Sequence, residues 1–245
     1  NSNFNGFIDE LIIYNKALTD TEIKIIFDPL HLSKHELISE RKSENLMGYW
    51  KFDGNTEDSS ENQNHGNLIS GEFVADRDGN PSSALYLDGL DDHLVIPHSE
   101  SLNPVDQLSI SAWVKIEKLA NTWSPALHKG GPSHWTGKNR AYSFWIHKDS
   151  FLSVMSAGNN SKQLQHNMNV DVGDWFHFGL SLDRKNHIAK LFKNGKNLVT
   201  KKDPYSSFNK NSGNLFIGTN PSVKEFPNNS NFNGFIDELI IYNKA

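Results

Sequence analysis

From residue 46 onward the side chains alternate with a period of two, and this constrains the fold more than any other feature of the chain. Ile110, Ala112, Val114 and Ile116 are separated by polar positions, as are Phe176, Phe178, Leu180 and Leu182. Successive side chains of a strand leave on opposite faces, so this spacing predicts strands with one buried face. Residues 85–87, 142–146, 151–155, 191–192 and 215–217 are further short candidates, divided by clusters of Asn, Gly, Asp and Ser. Asn194-Gly195, flanked by lysines, is a hairpin signal, because a type I′ turn needs positive φ at both central positions. Evenly spaced short strands with polar loops predict an all-β, antiparallel architecture.

A duplication sets the phase of that pattern. The segment NSNFNGFIDELIIYNKA occupies residues 1–17 and recurs unchanged at 229–245, an offset of 228 residues. That offset is about one domain long and reads as the period of a tandem array. Residues 1–17 are then expected to be the closing strand of a preceding repeat. Residues 18–45 read as a short helical linker on the N-terminal side. Thr19-Asp20-Thr21-Glu22 is a capping box before Ile23, Ile25, Ile26 and Phe27, and Ser33-Lys34-His35-Glu36 repeats the device. Residues 46–245 make the complete domain.

Composition narrows the function classes. The chain is 36% hydrophobic and 11% aromatic, which is a folded composition and not a disordered one. It has no cysteine, so disulfides and cysteine-based zinc sites are excluded. With 29 acidic and 24 basic residues the formal charge is -5 and there is no basic stripe, so nucleic acid is not an expected partner. No apolar run reaches the roughly 18 to 20 residues that a membrane helix needs.

The order of motifs carries a resemblance. Gly48-Tyr49-Trp50-Lys51-Phe52-Asp53, then Asn64-His65-Gly66, Ala84-Leu85-Tyr86-Leu87-Asp88-Gly89, Gly173-Asp174-Trp175-Phe176, Lys193-Asn194-Gly195, Phe216-Ile217-Gly218 and the segment from Phe232 to Tyr242 follow one another. This succession resembles a laminin-G-like, concanavalin A-like jelly-roll domain over about residues 46–245. The resemblance implies an antiparallel two-sheet jelly-roll sandwich. That family holds sugar binders, adhesion modules, calcium-dependent spacers and catalytic relatives, so fold alone does not choose among them.

In a jelly roll the first and last strands can lie side by side, which is expected to bring Asp53 toward Asp237. Two carboxylates on one rim call for a neutraliser, and Ca2+ takes six to eight oxygens. The loop between offers Asp58, Asn64 and the carbonyls around Gly66, and the resemblance implies calcium at about this place. Asp9 would take the role of Asp237 in the preceding repeat. The competing reading makes Asp53, Asp58 and Asn64 turn formers and Asp237 a strand residue bonded to backbone. Asp91 and Asp92 read as a plain turn.

Catalysis is not expected. The glucanase relatives need Glu-x-Asp-x-x-Glu on one strand, and no such triplet occurs. Asp237-Glu238 would point to opposite faces of a strand. Residues 131–138 lack the spacing of a phosphate loop, and neither HExxH nor Gly-x-Ser-x-Gly is present. A sugar site is the alternative: Trp123, His134, Trp135 and Tyr142 lie in or beside the polar stretch 121–141, where exposed aromatics could stack on sugar rings.

Two functions follow as expectations. The chain is a non-catalytic repeat unit of an extracellular bacterial adhesin or surface fibre, a calcium-stabilised module acting in adhesion or self-assembly, whose partners are neighbouring repeats or identical subunits. Alternatively each repeat is a carbohydrate-binding (lectin) module for cell-surface glycans, with repetition supplying avidity.

Overall fold

Alternation turns into strands throughout the computed structural model, which describes residues 45–119, 123–131, 139–220 and 231–245. The chain divides into two units, Asn1–Ser43 and Glu44–Ala245. The expected closing strand at 1–17, with Asp9, and the helical linker up to residue 44 lie outside the described residues.

The strands run β1 (Leu46–Trp50), β2 (Asn67–Ile69), β3 (Glu72–Val74), β4 (Ala84–Asp88), β5 (His93–Ile96), β6 (Gln107–Lys118), β7 (Ser124–Gly130) and β8 (Arg140–His147). They continue as β9 (Ser150–Ala157), β10 (Asn160–Asn167), β11 (Trp175–Asp183), β12 (Ile188–Lys193), β13 (Lys196–Lys202), β14 (Leu215–Ile217) and β15 (Asn233–Tyr242). One antiparallel sheet has the order β13-β12-β11-β6-β15-β4-β3, with β1 also paired to β15. The other has the order β10-β9-β8-β7-β14-β5-β2. Together they form the two-sheet jelly-roll sandwich.

The inward face of β6 carries Leu108, Ile110, Ala112, Val114 and Ile116, none more than 2% exposed, so the period-two reading holds residue by residue. Each larger side chain so buried stabilises the fold by about 1.5–3 kcal/mol. Phe144 of β8 stacks on Phe178 of β11 at 4.0 Å, and Phe151 of β9 meets Phe176 at 5.5 Å, which joins the two sheets across the core. Asn194 and Gly195 have φ of 48° and 71°, the two left-handed residues that the two-residue turn between β12 and β13 requires.

β15 is an interior strand. It pairs with β6 along one side, and with β4 and then β1 along the other. At Gly234 φ is 155°, and a Cβ there would lie 2.2 Å from the Lys115 carbonyl oxygen, so only glycine fits. The β6 register slips between Asp237 and Ile240, with Glu238 at φ 50°, which is a β-bulge.

A buried ion pair ties down the loop after β13. Arg184 Nε lies 3.1 Å from Asp203 Oδ2, and neither side chain is exposed. The guanidinium also packs 3.9 Å from the Phe208 ring centroid and donates to the Ser207 carbonyl. Among the described residues, no helix is long and apolar enough to cross a membrane.

Candidate functional site

β7, β8 and β9 are buried on both faces, unlike the long strands β6 and β11 of the other sheet. Their inward residues, among them Leu127, Tyr142, Phe144 and Phe151, belong to the main core. The outward residues follow from register. Pro125, Trp145, Leu152 and Gln165 form one row across β7 to β10, and His147, Ser150 and Asn167 the next. Trp145, Leu152 and Val154 make a separate apolar cluster on this outer face, with Trp123 packed against it.

Trp123 bridges that cluster to a polar cleft. Its ring lies 5.0 Å from the His147 ring, and the two line a cleft of about 290 Å³ with Asp149, Ser150, Gln165 and Asn167. His147 Nδ1 contacts the Asp149 carboxylate, whose side chain is 56% exposed and therefore open to a ligand. Gln165 Nε2 donates to Ser150 Oγ at 3.2 Å and to Asn167 Oδ1 at 2.7 Å, which fixes the direction of both amides. An aromatic face beside a carboxylate, a hydroxyl and two oriented amides matches the alternation of apolar C–H faces and hydroxyls on a sugar.

The same face holds a polar group deeper in. His128 and Ser143 are register partners, and the Trp145 ring stands edge-on to the His128 ring at 6.3 Å. His128 Nδ1, Ser143 Oγ and Trp145 Nε1 are buried and have no hydrogen-bond partner among the described residues. Burial pushes His128 down to about 3, with help from the charges of Arg140 and Lys129, so the imidazole is neutral. Its Nε2 faces the Gly131 carbonyl at 3.3 Å, which places the proton on Nε2 and leaves Nδ1 an acceptor.

Among the four expected sugar contacts, Trp123 lines this cleft. Tyr142 does not: it is fully buried on the inward face, and its hydroxyl donates to the Leu102 carbonyl at 3.2 Å. The alternation of β8 turns Tyr142 inward and Trp145 outward. His134 and Trp135 lie outside the described residues. His147, Asp149, Gln165 and Asn167 were missed. Gln165 and Asn167 lie on a polar strand with Leu164 as its one buried residue, and His147 and Asp149 at the turn from β8 to β9, neither of which carries a motif.

The expected calcium cage is assembled differently. β1 and β15 do pair. Asp58, however, is saturated by donors: Oδ1 accepts from the Tyr49 and Ser60 amides and Oδ2 from Ser60 Oγ and the Asn64 amide, all at 2.7–2.8 Å. Asn64 Nδ2 donates to the Met47 carbonyl and Ser101 Oγ, both at 2.9 Å, and its Oδ1 accepts from that hydroxyl. The Gly66 carbonyl takes Thr56 Oγ1 at 2.7 Å. Asp237 is 2% exposed and bound to Arg77, while Asp53 is exposed in a turn. A carboxylate with four donors has no lone pair left for a cation, so these residues do not fit the ion as a group.

Carboxylates gather elsewhere. Oxygens of Asp88, Asp91 and Asp92 all lie within 4.8 Å of one another, in the turn read from sequence as plain. Asp92 Oδ2 accepts the Asp88 amide at 3.0 Å and Asp88 Oδ1 the Leu90 amide at 2.7 Å, leaving the remaining oxygens for a hard cation. Beside them, Asn233 Nδ2 donates to the Asp88 carbonyl while its Oδ1 is buried without a partner among the described residues.

The outer face of the other sheet is also aromatic, but two of its central rings, Trp113 and Phe235, lie under cations. Arg77 lies 4.8 Å over Trp113, Lys115 lies 4.7 Å over Phe235, and Tyr86 packs against the same Phe235 at 4.9 Å. Stacking a sugar there would first displace a cation.

Solved structures similar to this chain include domains of an extracellular enzyme and of toxins. Domain 4 of AbnA, a GH43 extracellular arabinanase from Geobacillus stearothermophilus, in complex with arabinotriose, is 21% identical, with a TM-score of 0.61 over 81% of this chain and 92% of that one. The binding domain of Paraclostridial Mosquitocidal Protein 1 is 14% identical, with a TM-score of 0.63 over 82% of this chain and 49% of that one. A botulinum neurotoxin type C structure, described as dependent on interaction with two ganglioside molecules for cell entry, is 13% identical, with a TM-score of 0.63 over 84% and 50%. The chain thus spans about half the length of the toxin structures, and at these identities the likeness is one of fold. No curated protein matches the chain. A family model described as concanavalin A-like lectin/glucanases superfamily matches residues 88–245. That is more than half of the sequence, and the chain belongs to this superfamily.

Proposed function

We propose that the domain is a non-catalytic carbohydrate-binding module that takes a glycan at the cleft beside Trp123. The observation that carries this reading is the cleft's composition: one aromatic face together with Asp149, Ser150, Gln165 and Asn167 on the outer face of one sheet. The solved structures with this fold include an arabinanase domain in complex with arabinotriose and a toxin dependent on gangliosides, which supports a glycan as the ligand class. An extracellular or cell-surface location accords with such a ligand. A glycan array probed with the full chain tests it. Saturable binding to a defined sugar class, lost in Trp123→Ala, is the expected result; absence of binding to every sugar overturns it.

The duplicated seventeen residues favour a second role beside the first. A repeat unit of an adhesin or surface fibre would present many weak glycan sites together, and linked sites gain effective concentration without any new contact. Calcium belongs to the same reading at Asp88, Asp91 and Asp92, where it would neutralise three carboxylates and rigidify the turn that meets β15.

A further inference from the structure

The interior position of β15 and the duplication of its sequence lead beyond sugar binding. Every side chain and every backbone requirement of this strand is met a second time in the chain, because residues 3–15 repeat residues 231–243 without a change. We propose that the place of β15 is a strand-acceptor slot, and that residues 1–17 of a copy of this chain fill it interchangeably with residues 229–245.

The slot is selective, which gives the identity its force. Asn231 accepts from Thr219 Oγ1 at 2.8 Å and donates to the Leu90 carbonyl, and Asn3 supplies the same amide. Phe232 is 1% exposed, and Phe4 matches it. Gly234 passes so close to the Lys115 carbonyl that no side chain is tolerated, and Gly6 meets that demand. Asp237 receives Arg77 at 2.6 Å, and Tyr49 donates to Glu238 at 2.7 Å across the bulge; Asp9-Glu10 repeats the pair in order. An unrelated apolar strand would satisfy the burial of Ile236, Leu239 and Ile241 but not the glycine, the two asparagines and the bulged acid pair.

Since the contacts made by either copy are identical, contact energy does not choose between them. Connectivity and effective concentration do. The two copies of the strand are interchangeable at the slot among the described residues, so a strand lent to a neighbour costs no contact wherever the donor's own slot is filled by the other copy. Such a contact extends head-to-tail into a filament where the exchange is not reciprocal, and closes into a dimer where it is.

The test uses the full chain. Gly234→Val excludes residues 229–245 from the slot while leaving residues 1–17 able to enter it. The expected result is that this variant keeps native tryptophan fluorescence and cooperative unfolding, with a midpoint near that of the native chain. The double variant Gly6→Val with Gly234→Val loses both. A Gly234→Val chain as unfolded as the double variant overturns the proposal, and so does a double variant as stable as the native chain. A second measurement uses a chain whose own two strands are both excluded. A fluorescent synthetic peptide of residues 1–17, mixed in excess with the double variant, is expected to co-elute with it at one per chain and to restore native tryptophan fluorescence. The same peptide carrying Gly6→Val is expected to remain free. Uptake of both peptides, or of neither, overturns the assignment.

Discussion

Nη1 of Arg77 lies 2.6 Å from Oδ2 of Asp237, so the loop between β3 and β4 places a cation against the middle of the interior strand β15. Burial raises the Asp237 carboxyl to about 7, the neighbouring Glu238 charge adds to the rise, and Arg77 opposes it. A carboxyl raised from an ordinary 3.8 binds more protons folded than unfolded between those two values. Its contribution to stability therefore falls as pH rises from about 4 to about 7. Thermal midpoints across that range should show this slope in the native chain and a flatter profile in Asp237→Asn.

Asp58 should matter to stability and Asp53 should not. Asp58→Ala strands four donors around Tyr49, Ser60 and Asn64, at a cost of about 2–4 kcal/mol, with or without a chelator. Asp53 is exposed, and Asp53→Ala should stay within about 0.5 kcal/mol of the native chain. Calcium should raise the midpoint through Asp91, so Asp91→Asn should lose that rise and Asp53→Ala should keep it. Calorimetry of the three variants with calcium and with EDTA measures all of these.

The reach of the sequence differs between these two sites. The alternation in β6 and β11, the Asn194-Gly195 turn and the pairing of first with last strand are local or follow from motif order, and all are present in the structure. What decides the carboxylates is not local. Arg77 and Asp237 are 160 residues apart in sequence, and no pattern in either segment points to the other. Asp58 looks the same in sequence whether its oxygens face a cation or four donors. β7 lacked a signal because burial on both faces erases alternation, and β10 because its outer face is the polar wall of the cleft.

Trp123→Ala should weaken glycan binding at least about tenfold while changing the midpoint little, since loss of one stacking face is worth over about 1 kcal/mol at a sugar site. Tyr142→Phe should leave binding unchanged and lower stability by about 1 kcal/mol, the worth of its buried bond to Leu102. Titration calorimetry with the sugar class found on the array separates the two.

Asp203→Ala should be among the more damaging substitutions outside the core, at about 3–5 kcal/mol, because Arg184 would be left buried without its partner. Replacing both, with Arg184→Met and Asp203→Leu, should cost less than the single change, since no charge then remains buried. Denaturant unfolding of the single and double variants checks the order.

β15 also fixes the timing of assembly. It leaves the ribosome after every other strand of its domain, yet it belongs between β6 and the β4–β1 edge. Until it arrives, the larger sheet is held open along its middle, with the edges of β6, β4 and β1 unpaired and ready for any strand of the right sequence. A nascent domain of this kind is completed by the ten residues of β15 or by the same ten offered from a neighbour, and until β15 is synthesised the neighbour's copy meets no tethered competitor.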